Sequence, residues 1–306
     1  MNKIAFFSTS SRPIKSLEEL SKNFVISLIV TKTDKIIGKA KSPVPNEIKK
    51  FALENNITLF EIEKFDSLKK EELFKLLNEI KPDLCLTFDF AFIVPKSLFD
   101  IPSKGFINTH FSLLPKHRGA SAVQFAILND DKDFGITYHL IDASLDTGDI
   151  IYQSKFSLDE NLNSGQAYEF LFDKASKELS PILKKYIHNE LDPLPQKHQE
   201  ATYTYSITNP KQTFIFKEDA VIDAGDSERK IFRKVKAFNP WPLLRVELKE
   251  LLRLKQFTNL SPKNQNDVYV KINDARFING CIEITQVTVE NGKKLAIKDF
   301  ISGYLK

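Results

Sequence analysis

Asn108 and His110 stand two residues apart at the end of an apolar run, Phe106-Ile107. On an extended strand such residues point to the same side, which would set an amide beside an imidazole. An amide N–H can donate to an oxygen that develops negative charge, and a histidine can donate to it or move a proton. That pair suits acyl transfer through an oxyanion. A histidine used in this way wants a carboxylate to orient it. Asp142, Asp146 and Asp149 provide three candidates, on a loop that follows the strand-like run Gly135-Ile136-Thr137-Tyr138-His139-Leu140. The same residues have plainer uses. Asparagine serves in turns and caps, a histidine at a strand end can be structural, and the aspartates can be solvated or surround a cation. No second histidine or DxD repeat accompanies the aspartates, so no metal site is expected.

The elements that must position these groups are legible from periodicity. Apolar runs at 4–7, 24–30, 57–60, 84–88, 106–108 and 135–140 read as strands. Between the earlier ones, residues 13–23, 45–54 and 68–80 space their apolar residues as helices do, and 163–187 reads as one long helix. Strands separated by helices of this length form parallel βαβ units, which predicts a doubly wound, mostly parallel α/β sheet of Rossmann-like form. Ligands of such sheets sit at the carboxyl edge, where the 142–149 loop would lie. Residues 189–206 are polar and interrupted by Pro193 and Pro195, and read as a linker. Beyond it come a helix around 226–237 and short runs at 267–272 and 282–289, the latter ending at a hairpin-like Glu290-Asn291-Gly292. Short strands with turns predict a small C-terminal β-barrel. The expected domains are therefore 1–188, a linker at 189–206, and 207–306.

Composition removes several classes of function. The chain has 306 residues, 42% hydrophobic and 27% charged, which are ordinary globular values. No apolar run approaches the roughly 20 residues of a membrane span, and the N-terminus is too short in apolar residues for a secretory signal. Cys85 and Cys281 form no CxxC and no disulfide framework, so a reduced cytoplasmic protein is expected. None of the ten glycines has the spacing of a GxGxxG motif or a P-loop. Net charge is +4 overall, yet residues 207–306 hold 18 Lys+Arg and 12 Asp+Glu. That surplus either keeps a small domain soluble or meets an anionic partner.

Longer motifs narrow the choice. Asn108-Thr109-His110-Phe111-Ser112-Leu113-Leu114-Pro115 resembles the NxHxSLLP motif of the folate-dependent formyltransferases, and Arg118-Gly119-Ala120 follows at the family's distance. Asp142-Ala143-Ser144-Leu145-Asp146-Thr147-Gly148-Asp149-Ile150 resembles the same family's DxxLDTGDI loop. The resemblance implies 10-formyltetrahydrofolate as formyl-donor cosubstrate and a catalytic triad of Asn108, His110 and Asp146. It also implies a pterin pocket from Phe90-Ala91-Phe92-Ile93-Val94-Pro95, similar to the family's YGxILP segment, with Ser112-Leu113-Leu114-Pro115, Asp142 and Leu145. Ala91 stands where the family has glycine. Phe7-Ser8-Thr9-Ser10 replaces a Gly-Thr-Pro run, and the linker carries Thr204-Tyr205-Ser206 where relatives often place a lysine.

The C-terminal part bears on the acceptor. Lys236-Ala237-Phe238-Asn239-Pro240-Trp241-Pro242 is similar to the RAFNPWP signature of family members that act on methionyl-tRNA. By its residues alone it reads as a rigid turn with a buried Trp241. The resemblance then implies initiator methionyl-tRNA as partner and an OB-like tRNA-binding C-terminal domain, in a monomer with no DNA or membrane partner. It places Lys35, Lys39 and Lys41, in a basic loop after the second strand, against the tRNA. Two other readings stay open: a formyltransferase acting on a sugar-nucleotide amine, and a non-catalytic RNA-binding relative.

Overall fold

The computed structural model describes residues 1–34, 42–157, 159–263, 268–290 and 292–306. Its first sheet has seven strands in the order β3-β2-β1-β4-β5-β6-β7. These are β1 (Lys3–Phe7), β2 (Val25–Lys32), β3 (Leu59–Ile62), β4 (Leu84–Phe88), β5 (Phe106–His110), β6 (Asp133–Leu140) and β7 (Ile150–Ser157). Strands β1 to β5 pair in parallel, and β6 runs antiparallel to β5. The fold is thus the doubly wound, mostly parallel sheet that the βαβ pattern predicts. Strand β4 is buried along its whole length, as a strand covered on both faces must be.

Helices α1 (Ile14–Ser21), α2 (Glu47–Glu54) and α3 (Ser67–Ile80) make the crossovers. Two of them start at side-chain caps. The Asn46 carboxamide accepts from Lys49 N and the Asp66 carboxylate from Lys69 N, each satisfying one orphan donor of the first turn. Leu73 and Leu77 of α3 are fully buried against Phe7, Val30 and Ile62. Strand order reverses between β1 and β4, since the chain goes outward to β3 before returning. The loops after β1 and β4 therefore part at the carboxyl edge, where such sheets bind ligands.

Two compact units divide the chain. One comprises residues 1–118, 135–155 and 170–201. The other comprises 119–134, 156–169 and 202–306, so it draws two excursions from the N-terminal half. Helix α4 (Ala122–Leu128), unforeseen in the sequence, belongs to it, as does the start of α5 (Ser164–Ile187). In this unit Arg229 and Arg233 of α6 (Glu228–Ala237) ion-pair with Asp130 and Glu160.

The second unit carries the antiparallel sheet β11-β10-β9-β8, built from β8 (Leu244–Glu247), β9 (Tyr269–Ile278), β10 (Cys281–Val289) and β11 (Lys294–Ala296). The short helices α7 (Leu248–Leu251) and α8 (Ile297–Tyr304) flank it in sequence. This is the small OB-like β part expected after the linker. Val270, Ile272, Ile284 and Val287 face inward and are buried. On the exposed face, pairing sets Arg245 opposite Lys271, Lys271 opposite Thr288, and Thr288 opposite Lys294. Like charges directly opposite one another weaken a sheet, as Arg245 and Lys271 do here, though Arg245 also ion-pairs with Glu290 at 3.3 Å and lies over the Tyr269 ring.

Trp241 departs from its expected place in a buried turn. Trp241 is 52% exposed, not buried. The turn that holds it is fixed by its neighbour instead: Asn239 O accepts from Ser164 Oγ at 2.7 Å and Gly165 N at 3.1 Å, and Asn239 Nδ2 donates to Asn273 O. Two prolines flank the indole, and anchoring through Asn239 leaves it outside the core.

Asn279 and Gly280, at φ 51° and 79°, join β9 to β10 in a two-residue turn. Positive φ at both positions is what a tight hairpin of this twist requires. A Cβ at Gly280 would meet nothing within 4 Å, so only the backbone penalty of roughly 1–2 kcal/mol opposes a side chain there. Gly280→Ala should lose about that much stability in urea unfolding, with activity intact; an unchanged midpoint would contradict the turn assignment.

Candidate active site

Strand register assembles the site. Thr87 on β4 pairs with Asn108 on β5, and Asn108 pairs with His139 on β6. Three polar side chains thus form one row across the sheet. Thr87 Oγ1 lies 2.8 Å from Asn108 Oδ1, which turns the amide nitrogen away from β4. That nitrogen lies 3.3 Å from His139 Nε2 and 3.5 Å from Asp146 Oδ1.

The two histidines are oriented differently. His110 Nε2 is 2.9 Å from the carbonyl of His117, so that nitrogen carries the hydrogen and donates. Its Nδ1 faces Asp146 Oδ2 at 3.7 Å. A proton arriving on Nδ1 would lie between ring and carboxylate. His139 Nδ1 donates to Leu140 O at 2.8 Å, which leaves Nε2 as acceptor for Asn108. His139 is 1% exposed, and burial drives its pKa below the ordinary value of 6.5 against the opposing pull of Asp146. It stays neutral and holds the Asn108 amide. Sequence reasoning missed His139 as a site residue. The available signal was a lone imidazole inside the run Ile136-Thr137-Tyr138-His139-Leu140.

Asp146 stands at φ 51°, a conformation aspartate tolerates. Its loop is shaped locally. Asp142 Oδ1 accepts from Ser144 N at 3.1 Å and Thr147 Oγ1 at 2.5 Å, and Gly148 lies against Leu140 O so closely that a Cβ would come within 1.9 Å. Of the loop's aspartates, Asp146 is the one that faces the histidines. Asp142 spends its carboxylate on the loop itself.

The pocket residues expected from the sequence divide. Phe90, Phe92 and Val94 turn inward: Phe90 lies edge-on to Phe7 at 5.6 Å and Phe92 to Phe65 at 5.9 Å, while Val94 joins the core. Ala91 and Ile93 face outward, Ile93 being 89% exposed; Pro95 is half-buried and Leu145 is 45% exposed. Ser112 and Leu114 are buried; Leu114 N donates to Thr137 Oγ1, and Ser112 Oγ to Lys116 O. Leu113 and Pro115 beside them are half-buried. Ser8-Thr9-Ser10 supplies hydroxyls to the switch point. Thr9 Oγ1 donates to Asp89 O and accepts from Ala91 N, and Ser10 Oγ bonds the Asp89 carboxylate, which also pairs with Arg12. Lys35, Lys39 and Lys41 lie outside the described residues.

With this geometry in hand, likeness to known proteins is informative. The formyl transferase family matches residues 2–183, and the formyl transferase C-terminal domain matches residues 214–305. The chain belongs to the formyl transferase family. Methionyl-tRNA formyltransferases are among this formyltransferase's relatives. That of Hydrogenobaculum sp. is 31% identical, covering 99% of this chain and 97% of the relative. That of Acetivibrio thermocellus is 29% identical, covering 99% and 96%. Two solved structures share the fold. The methionyl-tRNA formyltransferase from Clostridium thermocellum has a TM-score of 0.57 at 19% identity, covering 97% of this chain and 100% of that one. A sugar 3N-formyl transferase, WlaRD, has a TM-score of 0.61 at 21% identity, covering 96% and 98%. Among the described residues no helix is long and apolar enough to cross a membrane.

A histidine whose folded pKa is depressed stays neutral while the unfolded chain takes up protons. Its contribution to stability is full above about pH 6.5 and is lost as pH falls toward the lower folded value. Thermal melts from pH 7.5 to 5 should therefore show a falling Tm in the wild type and a shallower fall in His139→Asn. Equal slopes in the two proteins would remove His139 from the account.

Proposed function

We propose that this enzyme transfers the formyl group of 10-formyltetrahydrofolate to the α-amino group of initiator methionyl-tRNA. The observation that carries the reading is the full-length likeness to methionyl-tRNA formyltransferases, C-terminal part included, in a chain that keeps Asn108, His110 and Asp146 together at one sheet edge. The donor is a cosubstrate consumed in each turnover, and the apolar, outward-facing Ala91, Ile93 and Leu145 offer its ring system a surface.

The attacking group must be a neutral amine. A peptide α-amino group has a pKa of about 7.7–8.0, and the ester of an aminoacyl-tRNA draws electrons and lowers it, so a neutral fraction exists near pH 7. As nitrogen bonds the formyl carbon, the carbonyl electron pair moves to oxygen. Asn108 Nδ2 is the donor for that oxyanion, held by Thr87 on one side and His139 on the other. The nitrogen's surplus proton leaves toward the Asp146 carboxylate and His110 Nδ1. The C–N bond to the folate then breaks, and that nitrogen takes up a proton. Preorganised donors of this kind stabilise developing charge without reorganisation during the step.

The exposed row Arg245, Lys271 and Lys294 supports an RNA backbone as the other partner, since phosphates would relieve the repulsion between Arg245 and Lys271. Lys35, Lys39 and Lys41 are proposed to add phosphate contacts.

Asn108→Ala should lower kcat about 10²–10³-fold, the typical cost of losing an oxyanion donor, with tRNA affinity unchanged. Near-wild-type turnover would remove Asn108 from the chemistry. Lys271→Ala should weaken tRNA binding and reduce the slope of log K against log salt by about 1. A slope equal to the wild type's would take that sheet face out of the interface. A direct acceptor comparison decides between tRNA and a sugar nucleotide: transfer to charged initiator tRNA, with none to uncharged tRNA or to an amino-sugar nucleotide, is the expected result.

A further inference from the structure

Gln196 lies in the stretch expected to be only a linker, yet it is 5% exposed. Its Nε2 donates to the carbonyl oxygens of Asp146 at 3.0 Å and Gly148 at 2.8 Å. Its Oε1 accepts from Arg118 Nε at 3.3 Å and Nη2 at 2.7 Å. The orientation of the carboxamide is unambiguous, because carbonyls can only accept and a guanidinium can only donate. Arg118 is itself 1% exposed and reaches His198 Nδ1 at 2.9 Å, so that nitrogen is the acceptor. Two residues before Gln196, Leu194 pairs with Ile150 through both backbone bonds, at 2.8 and 2.9 Å. The segment at Leu194 is thus fastened by a single bridge to the end of the catalytic loop, and Gln196 reaches back over the turn that carries Asp146.

We infer that Gln196 is a positioning residue for the proposed formyl transfer, holding the Asp146 backbone so that its carboxylate faces His110 and His139; this rests on the function proposed above. The requirement is chemically narrow. Two donors must meet two carbonyls while one acceptor meets a guanidinium. Glutamate has no donor for the carbonyls, lysine has no acceptor for Arg118, and asparagine is one methylene short. Asp146 sits in the left-handed region, so a turn released at its carbonyl can relax and swing the carboxylate from the imidazoles. A misplacement of about 1 Å in a reacting group can cost on the order of 10²-fold in rate.

The test compares full-length wild type with Gln196→Ala and Gln196→Glu. The Glu variant keeps a partner for Arg118 but turns an oxygen toward two carbonyl oxygens, so it probes the loop contact where the Ala variant folds poorly. Formyl transfer to methionyl-tRNA should fall on the order of 10²-fold in kcat, with KM for donor and acceptor within about twofold of wild type. Histidine NMR provides a readout independent of the acceptor: the His110 ring resonances should move at fixed pH in both variants, because the carboxylate that faces Nδ1 at 3.7 Å has moved. A wild type that transfers no formyl group to methionyl-tRNA would overturn the proposed function, and the His110 ring resonances would still decide the role of Gln196. A folded variant with wild-type kcat and unmoved His110 ring resonances, even with a lower Tm, would overturn the positioning role.

Discussion

Everything at the site depends on the register of three strands. Thr87, Asn108 and His139 share one row because β4, β5 and β6 pair as they do. A slip of one residue would turn each of these side chains to the opposite face of the sheet. The apolar residues around them resist such a slip, since it would also bring Leu86, Ile107 and Tyr138 out of the packing in which they are buried. The hydrophobic pattern therefore does more than stabilise the sheet. It fixes which three polar groups meet, and each then satisfies a neighbour: a hydroxyl beside the amide oxygen, an imidazole beside the amide nitrogen, a backbone carbonyl behind the imidazole.

Order at the switch point rests on a second set of contacts. Asp89, at φ 55°, receives Arg12 and Ser10 on its carboxylate and Thr9 on its carbonyl. The loops after β1 and β4 are thereby joined just where the strand order reverses. A Gly-Thr-Pro run would offer fewer hydroxyls here. Thr9 Oγ1 accepts from Ala91 N, which ties the segment that carries Phe90 and Phe92 to the loop after β1.

Much of this was readable in the sequence, for identifiable reasons. Strands β1 to β6 and helices α1 to α3 were legible because their apolar residues recur with a clean period. Asn108, His110 and Asp146 were legible because they fall in long motifs. What escaped depended on distant partners. Helix α4 is short and draws its burial from the second unit, so its own seven residues signal little. Strand β7 is mostly half-exposed. The Asn279-Gly280 turn was overlooked beside Glu290-Asn291-Gly292, although its residue pair is the stronger hairpin signal. Trp241 was misjudged because exposure follows from where a turn is anchored, which no local pattern records. His139 was hidden by register: its partner Asn108 lies 31 residues away in the chain.

The fastening of Leu194 and Gln196 changes what counts as a module. The long helix ends at Ile187, and a cut soon after it would look natural to anyone grafting this catalytic scaffold onto a different acceptor-binding partner. Such a chimera would discard the paired backbone at Leu194 and the carboxamide behind the Asp146 turn. The first unit runs on past His198, and a recombination boundary placed earlier separates the Asp146 turn from part of its own frame.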